Sequence, residues 1–208
     1  MKLLLLFSLF FLSFVSLSQS AALSIGKLAP MQEHKMDASQ KEKFSIKDLM
    51  KENGIIVIFS SNTCPFVVGF PDSTFPGWEN QYNAINKVAQ AKQIGVVLIN
   101  SNEAKRENGE SLTDIAQRRS LKNFNMPYLL DKNSELANAF GAKTTPHVFF
   151  FDKDFKLIYS GSIDNSFEDK RKKEIPFLIN AIEKHASGKK IKPNATSPKG
   201  CSIKRLKS

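Results

Sequence analysis

The sequence predicts an α/β fold in which a central mixed sheet is flanked by helices. Two continuous apolar runs, at 54–59 and 94–100, are rich in β-branched residues and are typical of strands buried on both faces. A segment with apolar residues at helical spacing separates them, as in a parallel sheet. The apolar runs at 147–152 and 156–161 flank a short polar turn, which predicts an antiparallel hairpin.

The other elements follow from local signals. Residues 23–44 are polar and mixed, which indicates an irregular lead-in or a short hairpin. Ser111 suits the first turn of one helix, Gly141 closes another, and Pro176 suits the first turn of the last. In chain order, the predicted helices are 44–53, a start after Cys64-Pro65, 78–93, 111–124, 134–141 and 173–188, with a short strand at 126–131.

The N-terminus has the pattern of a secretory signal peptide. One lysine precedes an apolar stretch from Leu3 to Leu17, and small residues follow it. The alternative is a single membrane anchor, but a stretch of 15 residues is short for a hydrocarbon core of roughly 30 Å. We expect a signal peptide at 1–21, cleavage between Ser20 and Ala22, export to the periplasm or the medium, and no membrane embedding after its removal.

Length and charge indicate one domain, at 24–188, followed by a basic tail at 189–208 that carries Cys201. The net charge is +10, and much of the excess lies in that tail. Basic tails can bind nucleic acid, but export argues against that partner and favours a solvated tail. With two cysteines in the chain, at most one intramolecular disulfide can form, so the protein is not a disulfide scaffold.

Cys64 is placed where a buried strand passes into a helix. Unpaired backbone N–H groups and the positive end of a helix dipole favour a thiolate there. Pro65 fits the first helical position, because its missing N–H is not needed. The carboxyl end of a parallel strand is also where open α/β sheets place their sites. The alternative is a buried, inert cysteine.

A second candidate segment precedes the 147–152 strand. The Thr145-Pro146 bond enters a strand and is a candidate cis peptide. His147 follows it and could tune a thiolate or bind a metal, or could simply be a strand residue. The sequence shows no phosphate-binding loop and no metal-ligand spacing, so no cofactor and no metal are implied.

These motifs together resemble the thioredoxin-like superfamily. The stretch SNTCPF after a strand, the Thr-Pro pair, Gly161–Asn165 (GSIDN) and Gly200–Lys204 (GCSIK) resemble the exported bacterial redoxins of the alkyl-hydroperoxide-reductase/thiol-specific-antioxidant (AhpC/TSA) type. The resemblance covers roughly 24–203 and implies a thioredoxin-like fold.

The resemblance also implies roles for individual residues. Cys64 matches the second cysteine of a C-x-x-C site, with Thr63 and Pro65 beside it, and Thr145-Pro146 matches the cis-proline loop that offers backbone to an extended substrate. Ser61 stands where the attacking cysteine of a thioredoxin is expected. The resemblance therefore does not extend to ordinary dithiol reductase activity.

The first hypothesis is a thiol–disulfide oxidoreductase that acts on protein thiols or disulfides. Cys64 attacks, and Cys201 resolves the mixed disulfide from a tail rich in Lys, Pro, Gly and Ser that can swing to the site. Such chemistry needs an accessible thiolate and a resolving partner.

The second hypothesis is a thiol peroxidase. Peroxiredoxins resemble this chain in carrying Ser or Thr three residues before the reactive cysteine, a rule that Ser61 meets. Cys201 could condense with a sulfenic acid formed on Cys64. However, Val57 stands where they carry proline, and the arginine that they require has to come from Arg106, Arg118 or Arg119.

The third hypothesis is a binding module without turnover. A permanent Cys64–Cys201 disulfide would tie down the tail and stabilise the fold by roughly 4–5 kcal/mol in the chain-entropy model. A variant is Cu(I) binding by Cys64, Cys201 and His147, because soft thiolates suit that ion.

Overall fold

The computed structural model describes residues 21–40, 42–71, 73–167 and 171–207. The expected signal peptide at 1–21 falls outside this part of the chain except for Ala21. Within the described residues, no helix has both the length and the apolar character needed to cross a bilayer.

Nine strands and six α-helices make up the fold within these residues. The strands are β1 (Met36–Ala38), β2 (Lys43–Phe44), β3 (Ile55–Ser60), β4 (Gly95–Asn100), β5 (Tyr128–Leu130), β6 (Thr144–Thr145), β7 (His147–Phe151), β8 (Leu157–Gly161) and β9 (Cys201–Ser202). The α-helices are α1 (Ile46–Leu49), α2 (Pro65–Val68), α3 (Tyr82–Ala91), α4 (Leu112–Leu121), α5 (Glu135–Phe140) and α6 (Phe177–Ala186).

Seven strands form a mixed sheet in the order β2-β1-β5-β4-β3-β7-β8. The central strands β3, β4 and β5 are parallel, while β7 and β8 form the predicted antiparallel hairpin beside β3. A separate two-stranded sheet joins β6 to β9. The predicted α/β class with a central mixed sheet is confirmed, and the lead-in contains the short hairpin of β1 and β2.

The sheet separates two apolar clusters, because alternate residues of a strand point to opposite faces. On β7, Val148 and Phe150 pack in the cluster that contains Cys64. Phe149 and Phe151 pack in the other cluster. All residues of β3 and β4 are buried, as their continuous apolar runs predict for strands covered on both faces.

The helices are shorter than the patterns predict. The first helix covers 46–49 rather than 44–53, because Ser45 and Asp48 close a capping box at its start. A 3₁₀ turn at Trp78–Gln81 opens the predicted 78–93 helix, and α3 follows it. The last helix begins at Phe177 because Pro176 is its N-cap, so residues 173–175 are not helical. Apolar spacing locates the buried face of a helix but not the residues at its ends.

Candidate functional site

Cys64 is the N-cap residue of α2, with Pro65 as the first helical residue. Its side chain is buried, with 4% of the residue exposed. The helix that follows has four residues, in agreement with the helical start that the sequence predicts, and Gly69 with φ +99° ends it. A macrodipole sums over aligned peptide units, so this short helix contributes little to the thiolate stabilisation expected from the sequence.

The Cys64 thiol meets the predicted Thr-Pro loop. The Thr145-Pro146 bond is cis, and Cys64 Sγ donates a hydrogen bond to the carbonyl oxygen of Thr145 at 3.1 Å. Thr145 is buried between the sheet and the tail. The structure therefore brings these two parts of the chain together, as the resemblance implies.

The C-terminal tail supplies the other thiol. In the β6–β9 pair, Cys201 lies opposite Thr145 and Ser202 opposite Thr144. Gly200 packs against the same carbonyl group, since a Cβ added there would lie 2.1 Å from the Thr145 oxygen. Cys64 and Cys201 are both free thiols in the structure, and both contact the backbone at Thr145.

The tail is docked on the domain beyond Cys201. Ile203 N donates to Lys143 O at 3.0 Å, and Lys204 N donates to Asn102 Oδ1 at 2.9 Å. Ala104 N donates to Lys204 O at 2.9 Å, and Ile203 is buried in the apolar cluster on the far side of the sheet from Cys64. Cys201 is therefore held at the site by backbone hydrogen bonds, and not carried there by the swinging tail that the composition suggests.

The Cys201 thiol is held in its protonated form. Burial, followed by the hydrogen bond and the charge of Cys64, raises the pKa of Cys201 to about 11, against a smaller opposing effect of Lys204. Burial and the neighbouring sulfur thus both disfavour a thiolate at Cys201.

Ser61 has a structural contact that the sequence did not predict. It is buried, and its hydroxyl oxygen accepts the backbone N–H groups of Thr63 at 3.1 Å and Cys64 at 3.0 Å. The hydroxyl proton is donated to the carboxylate of Glu110. Ser61 therefore fixes the backbone of the loop in which Cys64 stands.

Glu110 is the site residue that sequence reasoning missed. Its side chain is fully buried, and Thr63 donates to it through Oγ1 at 2.7 Å. Gly109 beside it allows the close approach of the two loops, since its φ is +85° and a Cβ there would lie 2.9 Å from Thr63 Cγ2. A single glutamate in a polar loop has no periodicity or spacing that connects it to Cys64, so no sequence signal could have found it.

His147 is not part of this site. Its ring packs on Phe149, with centroids 4.4 Å apart, on the face of the sheet opposite to Cys64. Its Nδ1 accepts the backbone N–H of Lys143, so Nε2 carries the proton and faces the hydroxyl of Ser160. Burial lowers the pKa of His147 to about 3. The expectation that His147 supports the site is wrong, because strand alternation turns its side chain away.

The structure does not bring together the three ligands of the copper variant. Among the described residues, no group of three or more His, Cys, Asp or Glu side chains is arranged to hold a metal ion. The copper variant required His147 beside Cys64 and Cys201, and the sheet separates it from them.

The three candidate arginines all have other partners in the structure. Arg106 donates to the backbone oxygens of Asn100, Glu110 and Asp131. Arg118 pairs with the buried carboxylate of Glu79, and Arg119 donates to the carbonyl oxygen of Met126. Each of the three is thus already paired with an acceptor other than the Cys64 thiol.

Comparisons with known proteins agree with this fold. An uncharacterized conserved protein from Geobacillus kaustophilus superposes with a TM-score of 0.77 at 24% identity, over 89% of this chain and 94% of that one. A hypothetical protein from Sinorhizobium meliloti gives 0.75 at 25% identity, over 90% and 98% of the two chains. The thioredoxin domain of a thiol-disulfide oxidoreductase from Bacteroides vulgatus gives 0.55 at 14% identity, over 79% and 99%.

A search of curated protein sequences finds no match to this chain. The sequence model of the AhpC/TSA family, in contrast, matches residues 25–160. This match spans more than half of the chain, and the superposed structures share its thioredoxin-like fold. The protein therefore belongs to the AhpC/TSA family of thioredoxin-like redoxins.

Proposed function

We propose that this redoxin is a thiol–disulfide oxidoreductase whose redox pair is Cys64 and Cys201. The observation that carries the proposal is the position of Cys201, paired across β6 and β9 with Thr145, whose carbonyl oxygen accepts the Cys64 thiol. Because the fold brings the Cys64 and Cys201 thiols to the same residue, Thr145, a redox pair can form without a cysteine at position 61. The family acts on thiols, disulfides or peroxides, and this geometry favours disulfides.

The exchange has two steps. The Cys64 thiolate attacks one sulfur of a substrate disulfide, forms a mixed disulfide and expels the second substrate sulfur as a thiolate, which takes up a proton. Cys201 then loses its proton and attacks Cys64 Sγ, which forms the Cys64–Cys201 disulfide and releases the first substrate sulfur as a thiol. The substrate gains two electrons and two protons, and a dithiol reductant returns them to the protein.

The compartment and the domain organisation belong to the same proposal. The signal-peptide pattern at 1–21 supports export, where protein disulfides are available as substrates. The redoxin domain at 24–188 provides Cys64 and the Thr145-Pro146 loop, with Ser61, Thr63 and Pro65 as supporting residues. The tail at 189–208 contributes the resolving thiol.

Oxidised glutathione is a suitable disulfide probe for the test. Treatment of the mature protein, followed by peptide mapping in the mass spectrometer, is expected to give a Cys64–Cys201 disulfide. Cys201→Ser should stop at the first step, with glutathione attached to Cys64, and Cys64→Ser should acquire much less glutathione. Finding both wild-type thiols free, or no mixed disulfide in Cys201→Ser, would count against the proposal.

A binding module with a structural disulfide is the second candidate, and the docked tail favours it. The backbone hydrogen bonds of Ile203 and Lys204 keep Cys201 beside Thr145. A permanent disulfide in a protein without turnover needs a fixed position of this kind. The reduction potential separates the two candidates, since structural disulfides have potentials below about −300 mV. A value above this limit supports the oxidoreductase, and a value below it supports the module.

A further inference from the structure

The buried carboxylate of Glu110 receives only hydrogen-bond donors from the loop before Cys64 and from β4. Asn62 N lies at 3.0 Å, and Thr63 donates through N at 3.2 Å and through Oγ1 at 2.7 Å. The Ser61 hydroxyl and the Asn100 side-chain amide donate as well. An ionised carboxylate offers acceptors alone, so it satisfies all five contacts at once.

A neutral amide cannot replace this carboxylate without loss. One of the two oxygens would become an NH₂ group that faces a donor. Asn100 cannot turn its amide over to compensate, because its Oδ1 already accepts Arg106 Nη1 at 2.8 Å and Asn102 N at 3.2 Å. The surroundings of Glu110 are therefore built for a charged acceptor.

The Ser61 hydroxyl has one proton, and Glu110 receives it. This leaves the lone pairs of Ser61 for the backbone N–H groups of Thr63 and Cys64, at 3.1 and 3.0 Å. If the hydroxyl rotated and donated elsewhere, the Cys64 amide would lose this acceptor, and the Thr63 amide would keep only the Glu110 carboxylate. The orientation of Ser61, and with it the backbone at Cys64, depends on the carboxylate.

We propose that Glu110 is a positioning residue for Cys64, acting through the hydroxyl of Ser61. The carboxylate fixes the hydroxyl of Ser61 and, through it, the backbone amides of Thr63 and Cys64.

Amide hydrogen exchange tests the positioning role without any turnover. In the reduced full-length mature protein, Glu110→Gln should speed exchange of the Cys64 and Thr63 amides by about tenfold or more, relative to the global change in stability. Ser61→Ala should do the same. The double variant should exchange no faster than either single variant, because both changes break one connected path.

Asp131→Asn is the matched control. Asp131 is also a fully buried carboxylate that accepts one serine hydroxyl and two backbone amides, from Ser101, Leu136 and Ala137. Its side chain lies at the start of α5, away from Cys64. This variant should lose stability but leave exchange at Cys64 at the wild-type level.

Two outcomes overturn the positioning role: unchanged exchange at Cys64 in Glu110→Gln, or effects of Glu110→Gln and Ser61→Ala that add in the double variant. If no Cys64–Cys201 disulfide forms at all, the proposed function fails, and the exchange data still decide the role of Glu110.

Discussion

Cys201 lies directly opposite Thr145 across a two-residue strand pair, and the carbonyl oxygen of Thr145 accepts the thiol of Cys64 at 3.1 Å. One backbone position thus organises two cysteines from distant parts of the chain. The short strand β9 carries the tail to this point, and the contacts of Ile203 and Lys204 hold it there.

Gly200→Ala should loosen the docking of β9. The added Cβ would lie 2.1 Å from the carbonyl oxygen of Thr145, so one of the two strands must move. Overpacking of this kind costs about 1–3 kcal/mol. We expect iodoacetamide to alkylate Cys201 at least about fivefold faster, on the scale of that cost. Ser202→Ala, on the exposed side of the same strand, is the control, and equal rates in both variants would show that Gly200 is not needed for close approach.

Cys64→Ser should lower the pKa of Cys201. Burial, then the hydrogen bond and charge of Cys64, raises that pKa to about 11, and the substitution removes the contributions of Cys64 but not the burial. The pH profile of Cys201 alkylation should therefore move to lower pH, while its midpoint stays above that of a free thiol, about 8.5. A profile with the same midpoint as the wild-type protein contradicts the contact between the two thiols.

Ser61→Cys should restore a local partner for Cys64. The Ser61 hydroxyl accepts the Cys64 amide at 3.0 Å, so a sulfur on this side chain lies beside Cys64. We expect peptide mapping after mild oxidation to find a disulfide between positions 61 and 64, with Cys201 left free in most molecules. Ser61→Ala, which offers no sulfur, should keep Cys201 as the partner. A Cys64–Cys201 bond that persists in Ser61→Cys would mean that β9 sets the pairing.

The buried His147 should make the protein less stable in acid. Its pKa is lowered to about 3, below the unfolded value of about 6.5, so protonation favours the unfolded chain. Its contribution to stability is fully present above pH 6.5 and is lost as the pH falls towards 3. Between pH 7.5 and 5 the loss is about 2 kcal/mol, from about 1.4 kcal/mol per pH unit.

Denaturant unfolding at the two pH values measures this loss. His147→Gln keeps groups that can bond to Lys143 and Ser160 but cannot be protonated, so the loss between pH 7.5 and 5 should shrink by most of that amount. Alkylation of Cys64 at pH 7.5 should stay at the wild-type rate, because the sheet separates the two side chains. Slower alkylation of Cys64 in His147→Gln would contradict this separation and show that His147 supports the site.

The central strands could be predicted because their physical requirement is local. A parallel strand buried on both faces needs a continuous run of apolar, β-branched residues, and 55–60 and 95–100 show it directly. The ends of helices could not be predicted as well. Ser45 and Pro176 decide them through caps that compete with the apolar spacing.

The sequence predicts Cys64 and the Thr-Pro loop as parts of one candidate site, but it does not predict the contacts that surround them. Cys64 follows a recognisable strand, whereas Glu110 reaches Ser61 only because the loop after β4 folds back over the loop after β3. The position of His147 directly after Pro146 in the sequence predicts that it lies at the site. The alternation of side chains along β7 instead directs it to the opposite face of the sheet.

The sequence by itself determined the α/β class, the position of Cys64 after a buried strand and the absence of a cysteine at Ser61, because each depends on residues adjacent in the chain. Only the tertiary structure decided that Cys201 is docked beside Cys64, that Glu110 accepts the Ser61 hydroxyl and that His147 lies elsewhere. These relationships depend on hydrogen bonds between segments far apart in sequence, such as Thr145 with Cys201. Such pairings leave no periodic pattern in either segment, so they appear only when the chain is folded.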